Sequence, residues 1–307
     1  MILRLIVLAL SLFLTPIFAA DKIPAIEISM TVVKVPIIQK SMDEAADYLK
    51  KRTQELGIEE ITHNLLHKAY QTQGLANIRR TEIFQFCDAK VAHALIEYDL
   101  NFAALIPCRV GLVEDEQGKA WFVMMNPNIF RAALTSLPPD IRKSAQICNH
   151  LMKIIGAAPV AFSTNIPSLA LAQAVVKRPL AEDVSRDEAI DSLKLRANDL
   201  NLKLVRHHVL TDKYKTPEVS NIKHIEIFQF CDAEVSQKML QHDISYLAYM
   251  PCRLAFVENK QGKGWFVMTN MDFFITLGNL PPKLSTSAMG MHHKLMEMIT
   301  AGANGDL

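Results

Sequence analysis

The chain has 307 residues, half of them hydrophobic, and a formal net charge of +1 at pH 7. This length and hydrophobic content suit about two domains, each with a buried core. The balanced charge, with lysines and arginines scattered along the chain, argues against binding to nucleic acid or to an anionic membrane surface.

The first twenty residues have the features of a secretory signal peptide. Arg4 supplies the positive charge, and Leu5 to Phe18 form an uncharged apolar stretch. This stretch is shorter than the roughly 20 residues that span a bilayer. Ala19 and Ala20 suit cleavage, and we place the signal peptide at residues 1–19. An uncleaved anchor is the alternative, but a periplasmic or secreted protein in an oxidising compartment is expected.

The rest of the chain repeats itself once. Glu82–Ala89 recurs as Glu226–Ala233, and Pro107-Cys108-Arg109 recurs as Pro251-Cys252-Arg253, each 144 residues further on. Solenoid repeats have periods of about 20–50 residues, so this period indicates a duplicated domain. We predict a first repeat over residues 20–156, a linker over 157–173 and a second repeat over 174–307.

Both repeats predict the same order of elements, β-α-β-β-α-β-β-α. In each, a β-branched strand precedes a capping box, formed by Ser41 and Glu44 or by Ser185 and Glu188, that opens a helix. In the first repeat, strands are predicted over 61–66, 82–86, 102–114 and 121–125, with helices from 88 to about 98 and after 139. Separate helical and antiparallel hairpin segments indicate an α+β fold.

Four of the five cysteines occupy equivalent positions in the two repeats. In an exported protein, paired cysteines favour disulfides over metal sites. Cys108 shares a strand face with apolar neighbours, and the lengths of the intervening helix and strand bring Cys87 level with it. We therefore predict Cys87–Cys108 and Cys231–Cys252 disulfides, with Cys148 left as a thiol. Buried reduced cysteines or a thiol-redox site remain alternatives.

The repeated motifs together resemble a known family. Phe-x-Phe-Cys-Asp-Ala, Pro-Cys-Arg at the start of a strand, Glu-x-x-x-Gly-Lys-x-Trp and an Asn after the last strand are similar to the domain-of-unknown-function family numbered 302. The resemblance covers residues 28–156 and 174–302. It implies a TATA-binding-protein-like domain whose single-copy members pair, so the two copies would form an intramolecular pseudo-dimer. It implies no established activity, and Asp-Ala stands where the family usually has Asn-Pro.

Several polar positions also recur and are candidates for ligand binding. His63 matches His207, Tyr70 matches Tyr214, and Arg109 matches Arg253. Together with Glu114 and Glu258, the arginines would line an anion site. The alternative for the arginines is an exposed cross-strand face.

The closing helices carry soft metal ligands. The predicted metal-binding set is Cys148 and His150 in the first repeat and Met291, His292, His293 and Met296 in the second. Imidazole with thioether suits copper, and His with His or Met suits haem iron. No Cys-x-x-Cys-His is present, so b-type haem, not c-type, is the haem considered. The alternative is an amphipathic helix with methionines in its core seam.

The sequence contains no nucleophile–base–acid set, no Gly-rich phosphate loop and no His-Glu-x-x-His, which weakens an enzymatic interpretation. It favours an exported ligand- or cofactor-binding protein. A structural or interaction module without a cofactor is the main alternative, and a thiol-redox protein is less favoured. The partners to consider are a small ligand and a second copy of the chain.

Overall fold

A computed structural model of the chain describes residues 28–144, 146–157, 169–211, 220–278 and 280–306. The predicted signal peptide, residues 158–168 of the predicted linker and Tyr214 lie outside these residues. Within the described part, every helix is too short or too polar to cross a bilayer.

Each repeat forms one five-stranded antiparallel sheet. The strand orders, β1-β5-β4-β3-β2 and β6-β10-β9-β8-β7, are equivalent. The strands of the first sheet are β1 Val32–Pro36, β2 Glu60–Leu65, β3 Thr81–Phe86, β4 Cys108–Glu114 and β5 Ala120–Met125. Those of the second are β6 Val175–Pro179, β7 Lys203–Val209, β8 Ile222–Cys231, β9 Cys252–Asn259 and β10 Gly264–Thr269.

Helices connect and cover these strands. The first repeat has α1 Ile28–Thr31, α2 Met42–Glu55, α3 Leu66–Thr72, α4 Ala89–Tyr98, α5 Arg131–Ser136, α6 Pro139–Ser144 and α7 Ile147–Ile154. The second has α8 Leu171–Ala174, α9 Arg186–Asp199, α10 Ala233–His242, α11 Met271–Leu277 and α12 Pro282–Asn304. Short 3-10 helices lie at Leu100–Ala104, Pro127–Phe130 and Ile244–Tyr249.

The predicted α+β fold is confirmed, and the strands come in the predicted order. Three local differences are the helix α3 in place of a loop after β2, the division of the first closing helix into α6 and α7, and the start of β4. Both capping boxes form, at the starts of α2 and α9. The strand predicted over 102–114 begins only at Cys108, because residues before it form a 3-10 helix. The Asp99 carboxylate caps this helix by accepting a hydrogen bond from the Asn101 amide at 2.9 Å.

The two sheets pack face to face, with helices on their outer faces. Phe84 and Phe86 point outward into a core shared with α2 and α7. Phe228 and Phe230 do the same beneath α9 and α12. The alternate residues of the central strands point into a third core that contains side chains from both sheets. The result is a helix–sheet–sheet–helix arrangement.

The repeats are related by a pseudo-two-fold axis and interlock across it. The buried Gln85 and Gln229 side chains exchange two hydrogen bonds of 2.8 Å. The 3-10 helix of each repeat packs on the sheet of the other. Thr31 Oγ1 lies 2.5 Å from Tyr249 Oη at one of these crossings. The chain is an intramolecular pseudo-dimer.

A candidate ligand cavity in the first repeat

The two predicted ligand-binding arginines cross between the repeats. Arg109 extends from β4 and donates from Nη1 to the carbonyl oxygens of Met250 at 2.9 Å and Pro251 at 2.8 Å. Its Nη2 donates to the carbonyl of Ala248 at 3.0 Å. The expectation of an exposed cross-strand face is wrong, because the other sheet covers that face and buries both arginines.

Arg253 makes the reciprocal contact with fewer bonds. Its Nη1 donates to the Pro107 carbonyl at 2.5 Å and its Nη2 to the Ala104 carbonyl at 2.6 Å. Its Nε is buried and has no hydrogen-bond partner. Burial lowers the pKa of Arg109 to about 10. Burial, and then the charge of Arg109, lower the pKa of Arg253 well below its ordinary value.

The predicted Cys87–Cys108 and Cys231–Cys252 disulfides are wrong. Cys108 is bonded instead to Cys148, with a Cα–Cα distance of 5.9 Å. Cys87, Cys231 and Cys252 remain thiols.

The strand pleat explains this difference. Cys108 faces the outer helices, where α7 supplies Cys148, whereas Cys87 packs in the core between the sheets. In the second repeat, Met291 takes the position of Cys148 on α12, and its thioether cannot form a disulfide with Cys252. Burial raises the pKa of the Cys252 thiol to about 12.

An apolar cavity of about 100 Å³ with an open mouth lies beside the disulfide in the first repeat. Its walls come from α4, α5, α7, three 3-10 helices and the adjacent strand ends. Cys87 and both disulfide cysteines line it. The principal apolar side chains are Val91, Leu95, Phe102, Leu105, Phe130 and Leu134.

Polar groups reach this cavity at a few points. Asp88, Arg109 and Arg253 line it, and Arg253 enters from the second repeat. Asn149 lies on the α7 side, where its Nδ2 donates to Gln146 Oε1 at 2.7 Å. The Asn149 Oδ1 atom is buried and has no hydrogen-bond partner. An apolar space with a few buried polar atoms is typical of a small-molecule site.

The equivalent space in the second repeat is smaller. The corresponding cavity has about 40 Å³. Tyr246 and Tyr249 stand at the positions of Phe102 and Leu105 in the first repeat. Tyr246 extends so far that its Oη lies 2.1 Å from where a Cβ at Gly278 would be placed. The cavity of the first repeat is therefore the larger of two related sites.

The recurring histidines, His63 and His207, lie away from this cavity and contact buried glutamates. His63 Nε2 donates to Glu82 Oε2 at 2.7 Å, and its ring stacks on Phe84 with centroids 4.0 Å apart. Arg80 Nε donates to the other oxygen of Glu82 at 2.6 Å. Burial alone would raise the pKa of Glu82, but the hydrogen bonds from His63 and Arg80 prevail and lower it to about 2.

The second repeat builds a similar cluster. His207 Nε2 lies 2.5 Å from Glu226 Oε2, and the His207 ring stacks on Phe228. His224, which replaces Arg80, lies 2.5 Å from the other Glu226 oxygen. The two histidines predicted as ligand contacts thus lie on the edge strands β2 and β7 and satisfy buried carboxylates on the neighbouring strands β3 and β8. They do not line the cavity that contains Arg253.

Tyr70 is also placed away from the cavity. Its side chain is buried between the repeats, and its hydroxyl oxygen lies 3.7 Å from Cys231 Sγ. Burial raises the pKa of the Tyr70 hydroxyl well above its ordinary value. Tyr70 therefore contributes to the interface between the repeats.

The predicted metal ligands do not come together. Cys148 is held in the disulfide, and α7 and α12 lie on opposite outer faces of the two-sheet core. On these helices Met291 points into the core, while His150 and His293 are exposed. Among the described residues, no three His, Cys, Asp or Glu side chains are arranged to hold a metal ion. The disulfide makes Cys148 unavailable as a ligand, and a copper or haem site formed by Met291, His292, His293 and Met296 on α12 stays a prediction.

Sequence reasoning missed most of the cavity, since it relied on positions that the repeats share. The cavity arises where the repeats differ. The replacement of Phe102 by Tyr246 and of Leu105 by Tyr249 is readable from the aligned repeats. Which of the two repeats leaves an open space depends on the packing around these positions.

Comparison with known proteins supports the duplication. No match was found among curated proteins. A solved structure titled "Crystal structure of uncharacterized conserved protein DUF302 from Bacillus stearothermophilus" is similar at 17% identity, with a TM-score of 0.35, over 42% of this chain and 98% of that one. The family model "Domain of unknown function DUF302" matches residues 33–157 and again 177–302. The chain belongs to the DUF302 family and carries two tandem copies of its domain.

Proposed function

We propose that this protein is an exported binding protein that holds one small apolar molecule in the cavity of the first repeat. The observation that carries the proposal is the cavity itself, about 100 Å³ in volume and lined mainly by apolar side chains. Small-molecule sites typically have apolar walls with a few polar groups.

The difference between the repeats supports this choice. Two tyrosines and Met291 reduce the equivalent space in the second repeat, whereas the first repeat keeps smaller or shorter side chains there. Native cores are closely packed, and a bound apolar molecule would fill the wider opening that the first repeat keeps.

Export is proposed on the apolar segment after Arg4 and the alanines at 19 and 20. The Cys108–Cys148 disulfide supports it, because stable disulfides belong to oxidising compartments. N-terminal sequencing of the protein recovered from the periplasm or medium tests this part. A chain that starts at Met1 and stays in the cytoplasm would contradict export.

The binding proposal is tested with N-phenyl-1-naphthylamine, a neutral apolar probe that fluoresces in apolar surroundings. The native protein should bind it saturably at one site. Val91→Trp places a bulky side chain into the cavity and should weaken binding at least about tenfold. The matched control is Val235→Trp at the equivalent position of the second repeat, which should change binding little.

Thermal melting of both variants verifies that they fold. Absence of probe binding, or equal weakening by the two tryptophans, would remove the binding proposal. The interpretation as a structural or interaction module without a ligand would then replace it.

A further inference from the structure

The two buried arginines at the crossing of the repeats have more hydrogen-bond donors than acceptors. A guanidinium carries five N–H donors and no acceptor. Arg109 donates in three hydrogen bonds and Arg253 in two, all to backbone carbonyl oxygens. Within the described part of the chain, half of the donors of this pair therefore have no acceptor. Buried donors without acceptors are costly, so a group that accepts from them would stabilise the fold.

The charges of the two arginines are not compensated by acidic side chains. Both arginines are buried, and burial followed by the charge of Arg109 lowers the pKa of Arg253, so the two charges interact. Asp88 lines the apolar cavity with them, but its carboxylate caps α4 by accepting from the amides of Lys90 and Val91. Among the described residues, the partners of both guanidinium groups are carbonyls. Buried charges are normally paired, and a bound anion would supply the missing negative charge.

Arg109 and Arg253 also line a second, smaller cavity, whose other walls come from the second repeat. We refer to it as the arginine cavity. Its lining includes Tyr249, Cys252 and Thr269, and the remaining lining residues are apolar. No acidic side chain of the described chain lines it. Burial raises the pKa of the Cys252 thiol to about 12, so at neutral pH this thiol adds no negative charge.

The size of the arginine cavity limits what it can hold. Its volume is about 10 Å³, which suits one water molecule or one monatomic ion. A carboxylate or phosphate compound exceeds this volume, and a water molecule brings no charge. A halide ion is both small enough and negatively charged.

We propose that the arginine cavity binds one chloride ion, which accepts hydrogen bonds from Arg109 and Arg253 and stabilises the contact between the repeats. Hydrogen bonds between charged partners are stronger than those between neutral groups. The ion lowers the repulsion between the two guanidinium groups, because it places a negative charge beside both. This site is separate from the apolar cavity, and the inference does not rest on the proposed binding function.

The test measures thermal unfolding of the full chain with its disulfide intact, as sodium chloride replaces sodium gluconate at constant ionic strength. Gluconate is too large for the arginine cavity, so the exchange changes the available guest and leaves the screening of surface charges unchanged. Once the site is filled, the Tm should rise by about 2–4 °C for each tenfold increase in chloride, because the ion binds the folded chain. Sodium bromide should act in the same way.

Two variants separate a specific site from a general salt effect. Arg109→Met removes one of the two charges and its donors, and the Tm of this variant should no longer depend on chloride. The matched control is Arg52→Met, which removes an exposed arginine of α2 and should keep the full dependence. A Tm of the native chain that does not respond to chloride would overturn the proposal, as would equal responses of native protein and Arg109→Met.

Anomalous diffraction from crystals grown in sodium bromide gives a measurement that needs no variant. One bromide peak should lie in the arginine cavity, in contact with Arg109 and Arg253. A cavity that holds only water, without an anomalous peak, would contradict the chloride site. Should Arg109→Met not fold, this map decides the question. None of these measurements uses the apolar probe, so the chloride site and the binding function are tested separately.

Discussion

Gly111 of the first repeat faces Leu247 of the second so closely that a Cβ at Gly111 would lie 2.5 Å from Leu247 Cδ2. The same Cβ would lie 3.2 Å from the Val123 carbonyl oxygen. Leu247 belongs to the 3-10 helix that crosses onto the first sheet. At the equivalent positions in the opposite crossing, Ala255 and Ala103 replace this glycine and leucine. The two crossings are thus filled by different pairs of side chains.

This contact predicts a compensating double substitution. Gly111→Ala should destabilise the fold by about 1–3 kcal/mol through overpacking. Leu247→Ala should cost about 2–5 kcal/mol through the space it leaves. The double variant should lose less than the sum, since shortening Leu247 makes room for the new methyl group. Denaturant unfolding of all four proteins measures the coupling. Strict additivity would show that the two side chains do not compete for one space.

Because the disulfide uses two of the five cysteines, the structure predicts that three thiols remain. Denatured, unreduced protein should react with three equivalents of a thiol reagent, at Cys87, Cys231 and Cys252. Peptide mapping should recover Cys108 joined to Cys148. One thiol would restore the pairings predicted from the sequence, and five would mean that no bond forms.

Removal of the disulfide should also lower the free energy of unfolding. The cysteines are 40 residues apart, for which the chain-entropy model gives about 4 kcal/mol. Cys108→Ser and Cys148→Ser should each lose a similar amount, and the double variant should lose no more than either. Cys252→Ser, at the equivalent strand position, is the control and should have a smaller effect.

The two glutamines on the pseudo-two-fold axis should contribute unequally to stability. Gln229 Oε1 accepts from Gln85 Nε2 at 2.8 Å and also from Asn64 Nδ2 at 2.9 Å. Gln229→Ala therefore leaves more buried polar atoms without partners than Gln85→Ala does. Each such atom costs about 1–3 kcal/mol. Unfolding free energies should show the larger loss for Gln229→Ala, and equal losses would contradict the bond to Asn64.

The Glu82 cluster predicts a loss of stability in acid. The pKa of Glu82 in the folded chain is about 2, below its ordinary 4.5, so ionisation favours the folded state. This contribution is complete above about pH 5 and is lost as the pH falls from about 4.5 towards 2. Glu82→Gln should lower stability at neutral pH and flatten the acid dependence. Glu60→Gln, on the exposed end of β2, is the control. An unchanged acid slope in Glu82→Gln would contradict the assignment.

The duplicated fold was predictable because its signals are local or repeated. Ser41 and Glu44 by themselves indicate the start of a helix. The alternation of apolar and polar residues around Phe84 and Phe86 indicates which face of β3 is apolar. The same alternation, applied strictly, places Cys87 on the opposite face from Cys108. The Cys87–Cys108 prediction used only the similar position of the two cysteines along the strand direction. It ignored that they point to opposite faces of the sheet.

Neither the burial of the arginines nor the cavity could be predicted from residues nearby in the sequence. Arg109 is an ordinary exposed-face residue until a second sheet covers that face, and nothing near it in sequence supplies the carbonyls that hold it. The cavity lies between the Leu100–Ala104 helix and α7, and the disulfide joins α7 to the start of β4. Long-range packing, not residue type, determines these features.

The interlocked arginines and glutamines have a consequence for how this chain can change. In a symmetric dimer of single-copy chains, every substitution appears in both subunits and alters both halves of the interface together. Here Gln85 and Gln229, or Phe102 and Tyr246, are encoded separately, so a mutation reaches one half alone. The second repeat can therefore fill its cavity with larger side chains and support the fold. The first repeat can keep an open cavity whose lining changes independently.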